Sequence, residues 1–373
     1  MKKIALLLAS LGSLAAVQPA AAQTVVKIGF AGPLTGPIAH IGKDEEYATR
    51  MALDDANAKG VVINGQKVRF ELMSEDDQAD PRQATIVAQR IADAGAKGVV
   101  GHVTSGAAIP AAMIYEQAGI PAITPSATNP KLTQQGYKTA YRVIANDFQQ
   151  GEAMAKYAAT VLKAKTIAIV DDRTAYGQGL GDTLAENLKK FGVQVVAREY
   201  TNDKAVDFTA LLTRIKSKQP DAIFYGGMDA QGAPMLKQIK QLGLNVKFLS
   251  GDGVCTSEML KLAAEALSPN VYCTQAGIPA EKMPGGTEFK TRFKKTFNVD
   301  VQLYAPYAYD SANMLIEAMK LANSVEPAKY LPQLQKVTLK GVTGTVAFDT
   351  KGDNKNGGIT LNQFGNGKWQ VLN

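Results

Sequence analysis

Residues 98–130, GVVGHVTSGAAIPAAMIYEQAGIPAITPSATNP, read as strand, short polar turn, helix, strand and second polar turn. Such a unit constrains the fold strongly. Parallel neighbours cannot be joined by a tight hairpin, so the helix must cross over a sheet face. The two turns, Thr104-Ser105 and Ser126-Ala127-Thr128, then fall at one sheet edge, beyond the carboxyl ends of neighbouring strands. Open α/β sheets bind small ligands at that edge. Hydroxyl-bearing turns with free helix N–H groups suit a small anion such as a carboxylate. Taken alone, the commoner role of such residues is to cap helices.

The same alternation runs through most of the chain. VVKIGF at 25–30 and KVRFELM at 67–73 read as strands, with a helical stretch between them. Asp80-Pro81 supplies an N-cap and a first-turn proline. Ala84, Val87, Ala88 and Ile91 follow at i, i+3, i+4 and i+7, the spacing of one buried helical face. Met154, Tyr157, Ala158 and Val161 repeat it, as do Phe208, Leu211, Leu212 and Ile215. TIAIV at 166–170, VQVVARE at 193–199 and DAIFY at 221–225 are rich in β-branched residues and read as strands. The expected class is α/β, with parallel sheets between layers of helices. Residues 221–253 mirror the opening stretch, and their turns hold Met228-Asp229 and Ser250-Gly251-Asp252-Gly253. A chain of 373 residues exceeds what one hydrophobic core serves, so two such halves with a ligand cleft between them are expected.

The first residues have a different character. Lys2-Lys3, an apolar run from Ile4 to Leu14 and Ala20-Ala21-Ala22 before Gln23 make the three-part pattern of a secretory signal peptide. The run is too short to span a bilayer. No Cys follows it, which argues against a lipid anchor. Residues 1–22 are therefore read as a removed leader and the mature chain as extracytoplasmic. The leader carries two of the positive charges behind the net +7, and the remaining Lys and Arg are spread among acids. No basic run supports nucleic-acid binding. In an exported chain, the pair Cys255 and Cys273 is expected to form a disulfide. With only the scattered His40 and His102 beside them, no metal cluster is expected.

Catalytic and cofactor motifs fail on spacing. GQGLGD at 177–182 gives G-x-G-x-G rather than G-x-G-x-x-G, and it starts several residues beyond the strand. No nucleophile elbow, P-loop or zincin motif is present. DTKGDNKNGG at 349–358 has lysines where a calcium loop needs oxygen ligands, and reads as a turn between strands. Asp76-Asp77 are expected at a strand end, shaping the cleft rim. No cofactor is expected.

VKIGFAGPLTGPIAHIGKD, EDDQADPRQA, the 98–130 stretch, VDDRTAYGQGL, IFYGGMD and GDGVCTS cover nearly the whole mature chain. In this order the chain resembles the periplasmic binding proteins of branched-chain amino acid ABC transporters. The resemblance implies a type I fold, two doubly wound parallel-sheet lobes joined by a multi-strand hinge. It divides the chain into 23–146 plus 277–347 and 147–276 plus 348–373. It implies a non-enzymatic, monomeric periplasmic protein that captures Leu, Ile or Val and delivers it to a membrane ABC permease. Ser105 matches a hydroxyl on the ligand carboxylate, and Thr128 a residue giving that carboxylate both N–H and hydroxyl. Ser126 matches a carbonyl that accepts from the ligand ammonium, with Ala127 beside it in the turn. Tyr176 matches a tyrosine closing over the zwitterion, and Asp252 a position often held by Glu as the ammonium counter-ion. Ile41 and Met228 depart from tyrosines of some members, so with Tyr304 the side-chain pocket is expected to be apolar or aromatic. The alternatives are another small amino acid or amide ligand, an exported carboxylate-based enzyme, and a sensor domain. No signalling segment supports the last of these.

Overall fold

The computed structural model describes residues 23–372, and the leader pattern at 1–22 lies outside the described residues. Two separate sheets carry the architecture. In the first, the strands run in the order Val62–Ile63, Gln66–Asp76, Thr24–Gly32, Gly98–Gly101, Ala122–Thr124 and Ala140–Arg142. In the second they run Lys368–Val371, Thr360–Gly365, Val271–Gln275, Lys247–Ser250, Ala222–Gly226, Thr166–Asp171 and Gln194–Tyr200. Setting aside the antiparallel edge strands, both sheets follow one plan. The second parallel strand in the chain flanks the first on one side, and the third flanks it on the other. That reversal creates a topological switch point in each sheet, after Gly32 and Gly101 in one and after Asp171 and Gly226 in the other. The likeness of the stretches 98–130 and 221–253 is thus a true structural correspondence. The sheets are parallel except at their edges, where Gln66–Asp76 forms a hairpin with Val62–Ile63 and the strands from 360 to 371 run antiparallel.

Strand residues point alternately to opposite faces, so a strand covered on both sides must be apolar throughout. Thr166–Asp171 shows this directly. Ile167 and Ile169 pack with Met154, Leu180 and Leu184, while Ala168 and Val170 pack with Leu212, Ile215 and Met235. In the first sheet Ile28 and Phe30 face Met51, Leu315 and Met319, while Ala31 and Val99 face Val87, Ile91 and Tyr115. The predicted helical faces at 84–91 and 208–215 are buried as their spacing requires, whereas in the third Met154 and Ala158 are buried, Tyr157 is half-buried and Val161, at the end of the helix, is exposed. Asp80 caps the helix Pro81–Asp93, accepting from the N–H groups of Arg82 and Gln83.

The chain passes between the sheets at three places. It leaves the first after Ala140–Arg142, returns after Val271–Gln275, and leaves again between Gly344–Val346 and Thr360–Gly365. The turn at 349–358 belongs to this last passage, and its Asp353 bridges back to Arg142. The glycines of GQGLGD lie inside the helix Ala175–Lys190 rather than in a nucleotide loop. There they permit close approach. A Cβ on Gly177 would come within 2.4 Å of the Gly226 carbonyl oxygen, at the switch point of the second sheet. Asp77, expected at the rim, is instead fully buried, because its carboxylate is bonded to His102 Nδ1 at 2.6 Å.

Cys255 and Cys273 form a disulfide. It ties the segment after the strand Lys247–Ser250 to the neighbouring strand Val271–Gln275. Replacing both cysteines by serine is expected to cost roughly 3 kcal/mol on the chain-entropy model. The readout is the urea midpoint, and an unchanged midpoint would refute the estimate.

Candidate functional site

The switch points of the two sheets face one another across a cleft, and corresponding turns of the two halves supply its walls. Thr104-Ser105 follows the third strand of the first sheet, and Met228-Asp229 follows the equivalent strand of the second. Ser126–Thr128 and Gly251–Gly253 follow the next strand in each. Between them lies a small cavity lined by Ile41, Val103, Thr104, Ser105, Ser126 and Tyr304 from one side. Tyr176, Met228, Asp252 and Gly253 line it from the other. Seven of the nine ligand-site residues read from the sequence share this cavity. Ala127 and Thr128 do not line it, and are buried in the same turn as Ser126.

The hydroxyls of the first lobe are not helix caps. Thr104 occupies the N-cap of the helix Ser105–Ala118 in an extended conformation, yet its side chain makes no capping bond. Its hydroxyl is buried with no partner, and that of Thr128 is buried with only the Asp147 carboxyl beside it, short of a well-formed hydrogen bond. Ser105 Oγ accepts from the N–H of Asn129 at 3.1 Å, tying the two turns together. Ser126 Oγ donates to the Val103 carbonyl at 2.9 Å. Unpaired buried hydroxyls cost free energy unless something else satisfies them. Two of them in adjoining turns make a place for an acceptor.

The opposite wall presents a carboxylate. Asp252 Oδ1 accepts from Gln150 Nε2 at 2.9 Å and from the Tyr176 hydroxyl at 2.8 Å, while Oδ2 accepts from the Tyr304 hydroxyl. The directions of these bonds are fixed by their neighbours. Thr274 donates to Gln150 Oε1, which turns the amide N–H toward Asp252. Gly253 N–H donates to the Tyr176 oxygen, leaving that hydroxyl free to donate. Burial pushes both phenols well above their ordinary range, and the Asp252 charge adds to this, so they remain donors. Burial also raises the Asp252 carboxyl against the pull of its three donors. A cation placed beside it would restore the ionised form. Tyr304, expected as an apolar wall, therefore reaches from the first lobe to the acid of the second.

Several supporting residues left no local trace in the sequence. Arg142 is fully buried, and its Nη1 donates to the Ala127 carbonyl at 3.0 Å and the Asn129 carbonyl at 2.9 Å, holding the Ser126–Thr128 turn from behind. His102 bonds Asp77 through Nδ1 and the Tyr115 hydroxyl through Nε2 at 3.0 Å, and its carbonyl accepts from Thr124. Asp147 sits at the start of the helix after the first crossover, with neither carboxyl oxygen bonded. Burial, reinforced by the charge of Asp252, pushes it up to about 7.

Two like lobes that contribute opposite halves of one small cavity define a clamp-type solute-binding protein. Residues 25–368 match the periplasmic binding protein family model, and the chain belongs to that family, among the substrate-binding proteins of branched-chain amino acid ABC transporters. It is 36% identical over 331 residues to an amino acid binding protein of Pseudomonas aeruginosa, covering 88% of this chain and 87% of the relative. It is 33% identical over 345 residues to a leucine-, isoleucine-, valine-, threonine- and alanine-binding protein of the same organism, covering 92% and 91%. Among solved structures, a leucine binding protein from Thermotoga maritima superimposes with a TM-score of 0.86 at 27% identity, covering 93% of this chain and 98% of that one. A branched-chain amino acid binding protein from Streptococcus pneumoniae in complex with isoleucine gives 0.83 at 27% identity, covering 94% and 99%. Each of these relatives is a binding protein by name.

Proposed function

We propose that this protein captures an aliphatic amino acid, Leu, Ile or Val, between its lobes in the periplasm and delivers it to a membrane ABC permease. The observation that carries the reading is the polarity of the cavity. The buried unpaired Thr104 hydroxyl stands on one wall, with that of Thr128 in the adjoining turn behind it, and a buried carboxylate raised by desolvation stands on the other. A zwitterion satisfies both at once, since a buried charge is tolerated only when paired and hydrogen-bonded. In this reading Ser105 and Thr128 hold the ligand carboxylate, Ser126 and Asp252 hold the ammonium, and Tyr176 closes over both. Ile41, Met228 and Tyr304 surround the side chain. The lobes comprise 23–146 with 277–347 and 147–276 with 348–373, and the three crossovers serve as the hinge. The residue pattern at 1–22 and the family both support export. A wider range that includes Thr and Ala is the second reading, favoured by the unpaired Thr104 hydroxyl in the cavity wall.

A thermal-shift panel over the natural amino acids tests the proposal. A ligand at a hundredfold excess over its Kd stabilises by about 2.7 kcal/mol. Leu, Ile or Val should give the largest rise in Tm. A panel in which no amino acid moves the curve would remove the proposal, and a larger shift with Thr or Ala would favour the second reading.

A further inference from the structure

Beside the cavity, a second polar contact joins the lobes. His40, near the start of the helix Ala39–Lys59 of the first lobe, places Nε2 2.9 Å from Asp229 Oδ2 at the start of the helix Asp229–Gln241 of the second. We propose that His40 and Asp229 form a proton-dependent latch, so that closing the lobes over a ligand takes up a proton. This extends the proposed amino-acid capture and rests on it only for the ligand arm of the test below.

The geometry makes Asp229 the demanding partner. Its side chain is fully buried, Thr256 donates to the same Oδ2, and Oδ1 has no hydrogen-bond partner. Within its own lobe that carboxylate has one hydroxyl donor and no cation, and a buried carboxylate so poorly compensated is costly. The imidazole that supplies the missing charge comes from the other lobe, 189 residues away in sequence. Opening the cleft separates them. The charged groups that bear on His40 are Asp229, Glu258 on the neighbouring helix Ser257–Leu262, and Asp44 on its own helix. All three are acids. Burial opposes the charged imidazole, but the hydrogen bond and charge of Asp229, with smaller contributions from Glu258 and Asp44, outweigh it and hold His40 above its usual 6.5.

The sign of the pH effect follows by linkage. A closed form that binds a proton more tightly than the open form is favoured as the pH falls toward the ordinary histidine value. It loses that advantage as the pH rises through the closed-state pKa. Other cleft carboxyls also titrate, Asp147 among them, so the latch is read from the difference between the parent protein and H40Q.

Small-angle scattering of the ligand-free protein between pH 8 and pH 6 reads the lobes without assuming a ligand. Isothermal titration with L-leucine over the same range reads the coupling. The parent protein should contract toward pH 6 and bind leucine roughly fivefold more tightly there. H40Q should show clearly smaller changes in both, keeping only the part due to the other cleft carboxyls, and D229N should behave like H40Q. A pH slope in H40Q equal to the parent's overturns the latch. If leucine binds none of the proteins, the capture reading fails, and scattering alone decides the latch: an H40Q-sensitive contraction upholds it, and its absence overturns it.

Discussion

Arg142→Met is expected to lose about 3 kcal/mol of folding stability, the lower end of the range for removing one member of a buried ion pair, because Asp353 keeps part of its side chain in solvent. The guanidinium is fully buried and spends every nitrogen. Nε and Nη2 donate to Asp353 Oδ1 at 2.9 and 2.6 Å, Nη2 also to Thr133 Oγ1 at 3.0 Å, and Nη1 to the carbonyls of Ala127 and Asn129. Methionine fills the volume but leaves a carboxylate and two carbonyls without their donor. Adding Asp353→Leu should recover only part of the loss, because the two carbonyls stay unpaired. Urea unfolding reads both variants, and a loss under about 1 kcal/mol for the single change would show that the network is dispensable. Leucine affinity should also fall, since those carbonyls belong to the turn that carries Thr128.

Asp252→Asn should weaken leucine binding by about 2–3 kcal/mol, roughly a hundredfold, as expected when one side of a buried charge pair is neutralised. Three donors converge on Asp252, from Gln150, Tyr176 and Tyr304, and their directions are locked by Thr274 and Gly253. An asparagine must turn its N–H₂ toward one of those donors, so it loses both the charge and part of the network. The fold should not suffer with the affinity. Burial raises the Asp252 carboxyl in the folded state above its unfolded value. Ionisation therefore works against folding, and this charge-related stability is present at low pH and lost as the pH rises through the raised pKa. Relative to the parent, the variant that cannot ionise should gain stability as the pH rises. Calorimetric affinity near the parent value would exclude Asp252 from the ligand site.

The parts of this protein legible in sequence were those written in local pattern. Strand and helix periodicities near 84–91, 166–170 and 208–215 report burial directly, because a residue's face is set by its neighbours along the chain. The turns holding Ser105, Ser126 and Asp252 were legible because sheet topology puts such turns at one edge. Arg142 was not, since its partner Asp353 is 211 residues away, in a segment whose local signal is only that of a turn. Gln150 shows no signal on its helix either, and it meets Asp252 across 102 residues. Asp77 was misplaced for a related reason. Strand ends favour exposed carboxylates, and only the buried His102 imidazole, 25 residues later, draws this one inward. Apolar periodicity predicts cores, whereas polar networks depend on pairings that only the assembled fold specifies.

The antiparallel strand Thr360–Gly365 completes the second sheet by pairing with Val271–Gln275. During synthesis that edge of the sheet stays bare until the last described strands arrive. The second sheet is not built from one continuous stretch of chain, so it cannot be completed until the strands from 360 to 371 are made. An unpaired apolar strand edge is a hazard while it waits, and pairings this distant in sequence form slowly. The order of assembly therefore puts the closing of the second sheet late, after Val271–Gln275 has waited for the strand Thr360–Gly365.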